Sequence, residues 1–204
     1  MMINALIFDW AGTLQNNIDV YVELCSIIFK KMGKTPISKE EIRQNITIPY
    51  MNFWNKYFPD MTLEKQNKLY AETIVSLDKS QLYDGVKDTL EHLSQKGIKL
   101  FVVSSEMSLT LLPEAKRGNM LDLFTEVIAD VHEKEESIRD VIAKHNLDPK
   151  TTAYVGDTDG DIIAGKNCGV KTIAITWGMQ AKEPLTASNP DIMIDDIKEI
   201  LDLV

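Results

Sequence analysis

The sequence predicts an α/β protein: a parallel sheet with a helical insertion after its first strand. Three observations carry this. After residue 83 short apolar runs alternate regularly with segments of helical spacing. Between 16 and 83 the pattern is helical throughout. The chain also opens on one apolar run, residues 4–8, which has no strand beside it and must join the later ones. Strand–helix alternation implies parallel pairing through right-handed crossovers.

Residues 4–8 read as a short buried strand, apolar and bounded by polar residues. Residues 17–34 bring Val20, Leu24, Ile27, Ile28 and Lys31 round to one face, and Gly33 ends the helix. Three more helices are expected at 38–45, 50–57 and 62–78. Ser38 opens a capping box with Glu41, and Thr62 caps the third. Beyond Asp84-Gly85 come a helix at 86–96, a strand at 98–103, a helix near 109–117 and a strand at 126–129. A helix at 135–146, a strand at 152–155, a helix at 160–167 and a strand at 171–175 follow, with a weak strand at 191–194. Residues 1–15 and 84–204 are thus the expected α/β core, and 16–83 a helical domain above the strands' C-terminal edge. Open α/β sheets place ligands at that edge.

With 204 residues the chain suits one domain or a core with a modest insertion. Its formal net charge of -9 argues against non-specific binding to nucleic acid or anionic membranes. An anionic substrate would need local positive charge or a metal. No run approaches the roughly 18 apolar residues of a membrane helix, and the N-terminus lacks the shape of a signal peptide. Cys25 and Cys168 do not form a disulfide framework. A cytoplasmic protein, monomer or homodimer, is expected.

Three strand ends carry chemistry. The first breaks into Asp9-Trp10-Ala11-Gly12-Thr13-Leu14, another into Ser104-Ser105, and a third into Gly156-Asp157-Thr158-Asp159-Gly160-Asp161. Two carboxylates with backbone carbonyls and waters suit a hard cation such as Mg²⁺. A carboxylate beside it can attack phosphorus. Either acid could instead only cap the following helix. Asp159 reads as a solvent-facing residue of the helix start. The serines could bind a phosphoryl oxygen or merely cap the next helix. Lys134 begins a helix, where a cation opposes the helix dipole. It is either recruited to neutralise an anion or one more exposed lysine of a charged run. His132 reads as a surface loop residue. Met51, Phe53, Trp54, Tyr57 and Phe58 read as helix packing, some lining a pocket.

These four motifs, in this order and spacing, resemble those of the haloacid dehalogenase superfamily over nearly the whole chain. Tyr83-Asp84-Gly85-Val86, Lys96-Gly97-Ile98 and Thr176-Trp177-Gly178 are similar to segments of phosphoglycolate-phosphatase-like members. The resemblance implies a Rossmann-like core, a helical cap at 16–83, and Mg²⁺-dependent hydrolysis of a small phosphorylated metabolite through an aspartyl phosphate. It implies Asp9 as nucleophile, and Mg²⁺ held by Asp9, the carbonyl of Ala11 and Asp157, with Asp161 in support. Ser104 and Lys134 would hold the phosphoryl group, with Gly12, Thr13 and Ser105 also against the substrate. The sequence departs at Ala11, where phosphatases of the family carry a second Asp as general acid and base, which keeps open a module that binds a phosphorylated metabolite with little turnover. Asp-Trp-Ala-Gly-Thr is itself similar to phosphonoacetaldehyde hydrolase, which uses a cap lysine. Here Tyr50 falls where that lysine is expected, and the nearest lysine, Lys56, is out of register. Glu106, just after the serines, is an awkward neighbour for an anion.

Overall fold

The computed structural model describes residues 2–77 and 80–204. Its elements in chain order are β1 (Ala5–Phe8), β2 (Gln15–Asn16), α1 (Ile18–Lys31), α2 (Lys39–Asn45), α3 (Met51–Tyr57), α4 (Leu63–Ile74), β3 (Gln81–Leu82), α5 (Val86–Gln95), β4 (Lys99–Val103), α6 (Ser108–Arg117) and β5 (Glu126–Ile128). The chain continues through α7 (Lys134–Lys144), β6 (Thr152–Gly156), α8 (Asp159–Asn167), β7 (Lys171–Ile175), α9 (Lys182–Ala187) and β8 (Ile192–Ile194). Six strands form one parallel sheet in the order β5-β4-β1-β6-β7-β8. The protein is therefore an α/β Rossmann-like fold, as the alternation of strands and helices predicts.

The sheet is covered on both faces, which is why its strands read as unbroken apolar runs. Along β1, Leu6 and Phe8 point to one face and Ala5 and Ile7 to the other. The first face packs on Leu90 and Leu93 of α5, Leu111 of α6, and a short C-terminal helical turn, Ile197–Asp202. The second packs on Ile138 and Val141 of α7 and Ala164 of α8. At the centre, β1 pairs with both β4 and β6 in matched register: Phe8 lies beside Val102 on one side and Val155 on the other. The residues that follow these three strands consequently emerge together at one edge.

Helices α1–α4 share an apolar cluster of their own, built on Leu24, Ile28, Phe29, Phe53, Trp54 and Phe58. The aromatic residues of this stretch are packing residues, as expected. Two expectations need correction. The segment leading into and out of these helices is not helical: β2 and β3 pair antiparallel, Gln15 with Leu82 and Asn16 with Gln81. Two-residue strands are too short to show a period of two, so tertiary pairing rather than local pattern makes them. Helix α4 ends at Ile74 rather than 78, and position 78 lies outside the described residues. The short helix α9 and the C-terminal turn had no counterpart in the sequence reading.

Glu114 of α6 fastens this junction. Its carboxylate accepts from Trp10 Nε1 at 3.4 Å and from the Gln15 side chain. Burial, against the opposing pull of the Trp10 hydrogen bond, raises its pKa to about 7. The folded state then holds a proton that the unfolded chain releases near 4.5, so stability falls as pH rises from about 4.5 to 7. We expect Glu114→Gln to flatten that part of the stability–pH curve, measured by urea unfolding at pH 5, 6 and 7. An unchanged slope would refute the assignment.

Candidate active site

Asp9 follows the central strand, and its N–H donates to Val155 O at 2.9 Å, extending the β1–β6 ladder by one residue. Ser104 follows β4 on one side and Asp157 follows β6 on the other. All three are buried. Lys134, the first residue of α7, is buried as well. Its Nζ donates to Asp161 Oδ1 at 2.6 Å and stands 3.1 Å from Asp9 Oδ1. Of the two sequence readings of Lys134, the exposed one fails. An ammonium at a helix start is tolerated because two carboxylates face it.

Helix α8 supplies the second of those carboxylates. Thr158 is its N-cap, and its Oγ1 accepts from the Asp161 N–H at 3.3 Å. In return Asp161 Oδ2 accepts from the Thr158 N–H at 3.1 Å and from its hydroxyl at 2.7 Å. This capping box fixes Asp161 so that Oδ1 is left for Lys134. Asp157 is held differently: Oδ1 accepts from Thr13 Oγ1 at 3.1 Å, and Oδ2 from the Met179 N–H at 2.6 Å. Gly12, at φ +77°, and Gly178 lie so close to Asp157 that a Cβ on either would overlap its side chain.

Asp9, Asp157 and Asp161 each present an oxygen within 4.8 Å of the others. Three carboxylates thus gather around one ammonium, which Asp9 and Asp161 contact. Burial raises Asp9, against the pull of Lys134, and Asp161 raises it further. Asp157 is pushed up to about 8 by burial, then by Asp161 and Asp9. Burial alone would lower Lys134, but Asp161 and Asp9 outweigh it and hold the ammonium well above its ordinary pKa. Such an acceptor set, in excess of its counter-charge, could hold a hard divalent cation.

Above the site lies a cleft of about 100 Å³, partly open to solvent, between the strand ends and the inserted helices. Asp9, Ala11, Ser104, Ser105, Lys134 and Asp157 line its floor. Gly12 and Thr13, expected against the substrate, are not in its lining but behind Asp157. Ala11 packs with Ile18, Ile46 and Met179. Tyr50 lines the cleft and donates to Asn67 Oδ1 at 2.9 Å, while Lys56 is outside it and bonded to Asn45. His132 is exposed, as expected, and its Nδ1 is 3.3 Å from the Tyr50 hydroxyl.

Some residues at the site escaped the sequence reading. Asp159 is not solvent-facing: its Oδ1 accepts from Thr47 Oγ1 at 2.7 Å and from Gln180 Nε2 at 2.9 Å. Gln180 also donates to Ile46 O at 2.7 Å, so it ties α8 to the inserted helices. Buried Glu106 accepts from Tyr70 OH at 2.6 Å, from Thr110 and from the Met107 N–H. Burial raises its pKa against those hydrogen bonds. Gln66 is buried on α4 and lines the cleft. Its helical spacing with Tyr70 and Thr73, one apart by four and the other by seven, marks a polar residue on an inward face, which was a usable signal.

In the metal-free protein, Lys134→Met strands buried carboxylates and should cost about 3–5 kcal/mol. Asp157 holds its proton to about 8 when folded and releases it near 3.8 when unfolded, so metal-free stability declines as pH rises between those values. Asp157→Asn should remove that decline. Urea unfolding of both variants at pH 5 and 8 checks this; equal slopes in Asp157→Asn and the native protein would contradict it.

Comparison with known proteins agrees with this geometry. Residues 6–175 match the family model described as haloacid dehalogenase-like hydrolase. The chain is 28% identical to a pyrophosphatase, PpaX, of Anoxybacillus flavithermus, covering 100% of this chain and 98% of the relative. It is 24% identical to a phosphoglycolate phosphatase of Synechococcus elongatus, covering 99% and 97%. A haloacid dehalogenase-like hydrolase structure from Streptococcus pneumoniae superposes with a TM-score of 0.81 at 23% identity, covering 98% of this chain and 97% of that one. With motif order, strand-end geometry and a family match over most of its length in agreement, this chain belongs to the haloacid dehalogenase-like hydrolases.

Proposed function

We propose that this protein is a Mg²⁺-dependent phosphohydrolase of a small phosphorylated metabolite, working through a phosphorylated Asp9. The observation that carries the reading is Asp9 at the end of the central strand, 3.1 Å from the buried Lys134 and flanked by Ser104 and Asp157. Names of the relatives, a pyrophosphatase and a phosphoglycolate phosphatase, agree with phosphoryl chemistry.

The donor set fits Mg²⁺: three buried carboxylates against one ammonium leave negative charge to be neutralised, and oxygen ligands suit a hard cation. Asp9, Asp157 and the carbonyl of Ala11 would hold the ion, with Asp161 in support. When bound, it would offset charge on the carboxylates and on the phosphoryl oxygens.

The chain's own residues do the rest. An Asp9 carboxylate oxygen bonds to phosphorus while the bond from phosphorus to the leaving oxygen breaks, giving an acyl phosphate and the leaving group as its alkoxide or carboxylate, an alkoxide taking its proton from water. Water then cleaves the acyl phosphate to inorganic phosphate and restores the carboxylate. Lys134 balances the negative charge gathered there. Ser104 Oγ accepts from the Glu106 N–H at 3.2 Å, and its hydroxyl, which lies against the Asp9 carboxylate, can turn to a phosphoryl oxygen. Ser105 Oγ is buried without a partner and supplies a second hydroxyl. The helices α1–α4 serve as the cap that walls the cleft above Asp9.

Ala11 cannot protonate the leaving group. General acid catalysis is worth typically about 10²–10⁴-fold, so acyl and aryl phosphates, which leave without help, are the substrates least affected. Phosphonoacetaldehyde cleavage by a cap lysine is disfavoured, because Tyr50 occupies the expected place.

Mg²⁺-dependent turnover of acetyl phosphate should fall by at least about 10³-fold in Asp9→Asn. In Ala11→Asp, hydrolysis of an alkyl phosphate should rise by about 10- to 100-fold, and that of acetyl phosphate much less. Phosphate release with and without Mg²⁺ reads both. Full turnover in Asp9→Asn would end the proposal.

A further inference from the structure

The cleft above Asp9 has features that a phosphoryl group alone does not explain. Asn17 stands at the N-cap position of α1, yet its side chain makes no capping bond. Its Oδ1 is buried and unpartnered, as is Oε1 of Gln66, and both residues line the cleft. Burying a polar atom without a partner is unfavourable, so a pair lining one cleft points to a ligand that satisfies them. The floor contributes a third such atom, Ser105 Oγ.

The charges are as informative. Among the described residues lining the cleft, Lys134 is the only cation, and Asp9 and Asp161 already share it. Glu106 lines the same space. Ionised, it repels an anion; protonated, it offers no charge to attract one. A leaving group with its own carboxylate or phosphate would enter the cleft without a counter-ion to meet it, and a charge that leaves water unpaired is costly. The remaining walls are apolar and aromatic, from Tyr21, Ile46, Ile48 and Trp54.

We propose that the substrate is a phosphomonoester whose leaving group bears hydroxyl or ammonium donors and no second anionic group, bound by Asn17, Gln66 and Glu106. This rests on the phosphohydrolase reading and narrows it. It also separates the chain from the compounds in the names of its relatives, which carry a second anionic group.

A matched pair tests it. Phosphoethanolamine and 2-phosphoglycolate share a two-carbon leaving group and differ in ammonium against carboxylate. With the full chain in Mg²⁺, kcat/KM for phosphoethanolamine should exceed that for 2-phosphoglycolate by about 100-fold or more. Ethylene glycol monophosphate should fall on the favoured side and pyrophosphate on the other. Gln66→Lys, which adds a cation, should shrink the ratio of the pair at least about tenfold. A native ratio of one or below, or a ratio indifferent to Gln66→Lys, overturns the inference. Acetyl phosphate, which lacks an extended leaving group, tests the underlying reading separately. If it too is not turned over, the rise in Tm that each member of the pair produces in Mg²⁺ still ranks them, and a larger rise with 2-phosphoglycolate refutes the proposal.

Discussion

The buried contact of Lys134 with Asp9 and Asp161 is the constraint on which the site depends. An ammonium taken out of water is tolerable only where carboxylates surround it. Each carboxylate is in turn tolerable only because other groups hold it. Asp161 is locked by the Thr158 capping box, and Asp157, beside them, by Thr13 and the Met179 N–H. The cluster still carries more negative than positive charge. That imbalance, together with burial, raises Asp9 and Asp157, and it suits the proposed Mg²⁺ and the phosphoryl oxygens that would accompany it.

Sheet order is what assembles these groups from distant parts of the chain. With β1 between β4 and β6, the residue after each strand lands beside the residue after its neighbour. Parallel pairing points all three ends the same way. The turns after β1 and β7 then close on Asp157, which only glycines at 12 and 178 permit. The inserted helices add a lid of contacts from the same edge. Thr47 and the Ile46 carbonyl reach Asp159 and Gln180, and Tyr70 reaches Glu106. Fold and cleft are thus built from one set of strand ends.

The strands and the acid-bearing ends were legible because burial imposes apolar runs and because an acid after such a run is conspicuous. Asp9, Ser104, Lys134, Asp157 and Asp161 were all readable as candidates, and they do converge. The β2–β3 ribbon was not readable, since two residues leave no period and its partners lie far apart in sequence. Asp159 was misread as solvent-facing for a related reason. Nothing local says that Thr47 and Gln180 will arrive at its carboxylate. Asn17 stands at a helix N-cap position without making the capping bond, which only the structure shows. Local chemistry reveals which side chains are unusual; the topology alone reveals what they meet.

Ala11 takes on a different meaning in this setting. A carboxylate there would have been a fourth acid around a single ammonium, and its immediate surroundings, Ile18, Ile46 and Met179, are apolar. The methyl group relieves the cluster of that charge. What position 11 would give a metal is its carbonyl, which any residue provides. On the proposed mechanism Ala11 leaves no proton donor at position 11, while the charge cluster, the strand-end geometry and the cleft stay intact. Selectivity, in that reading, comes from above, where Asn17, Gln66 and Glu106 line the cleft, and from leaving groups that depart without a proton at position 11.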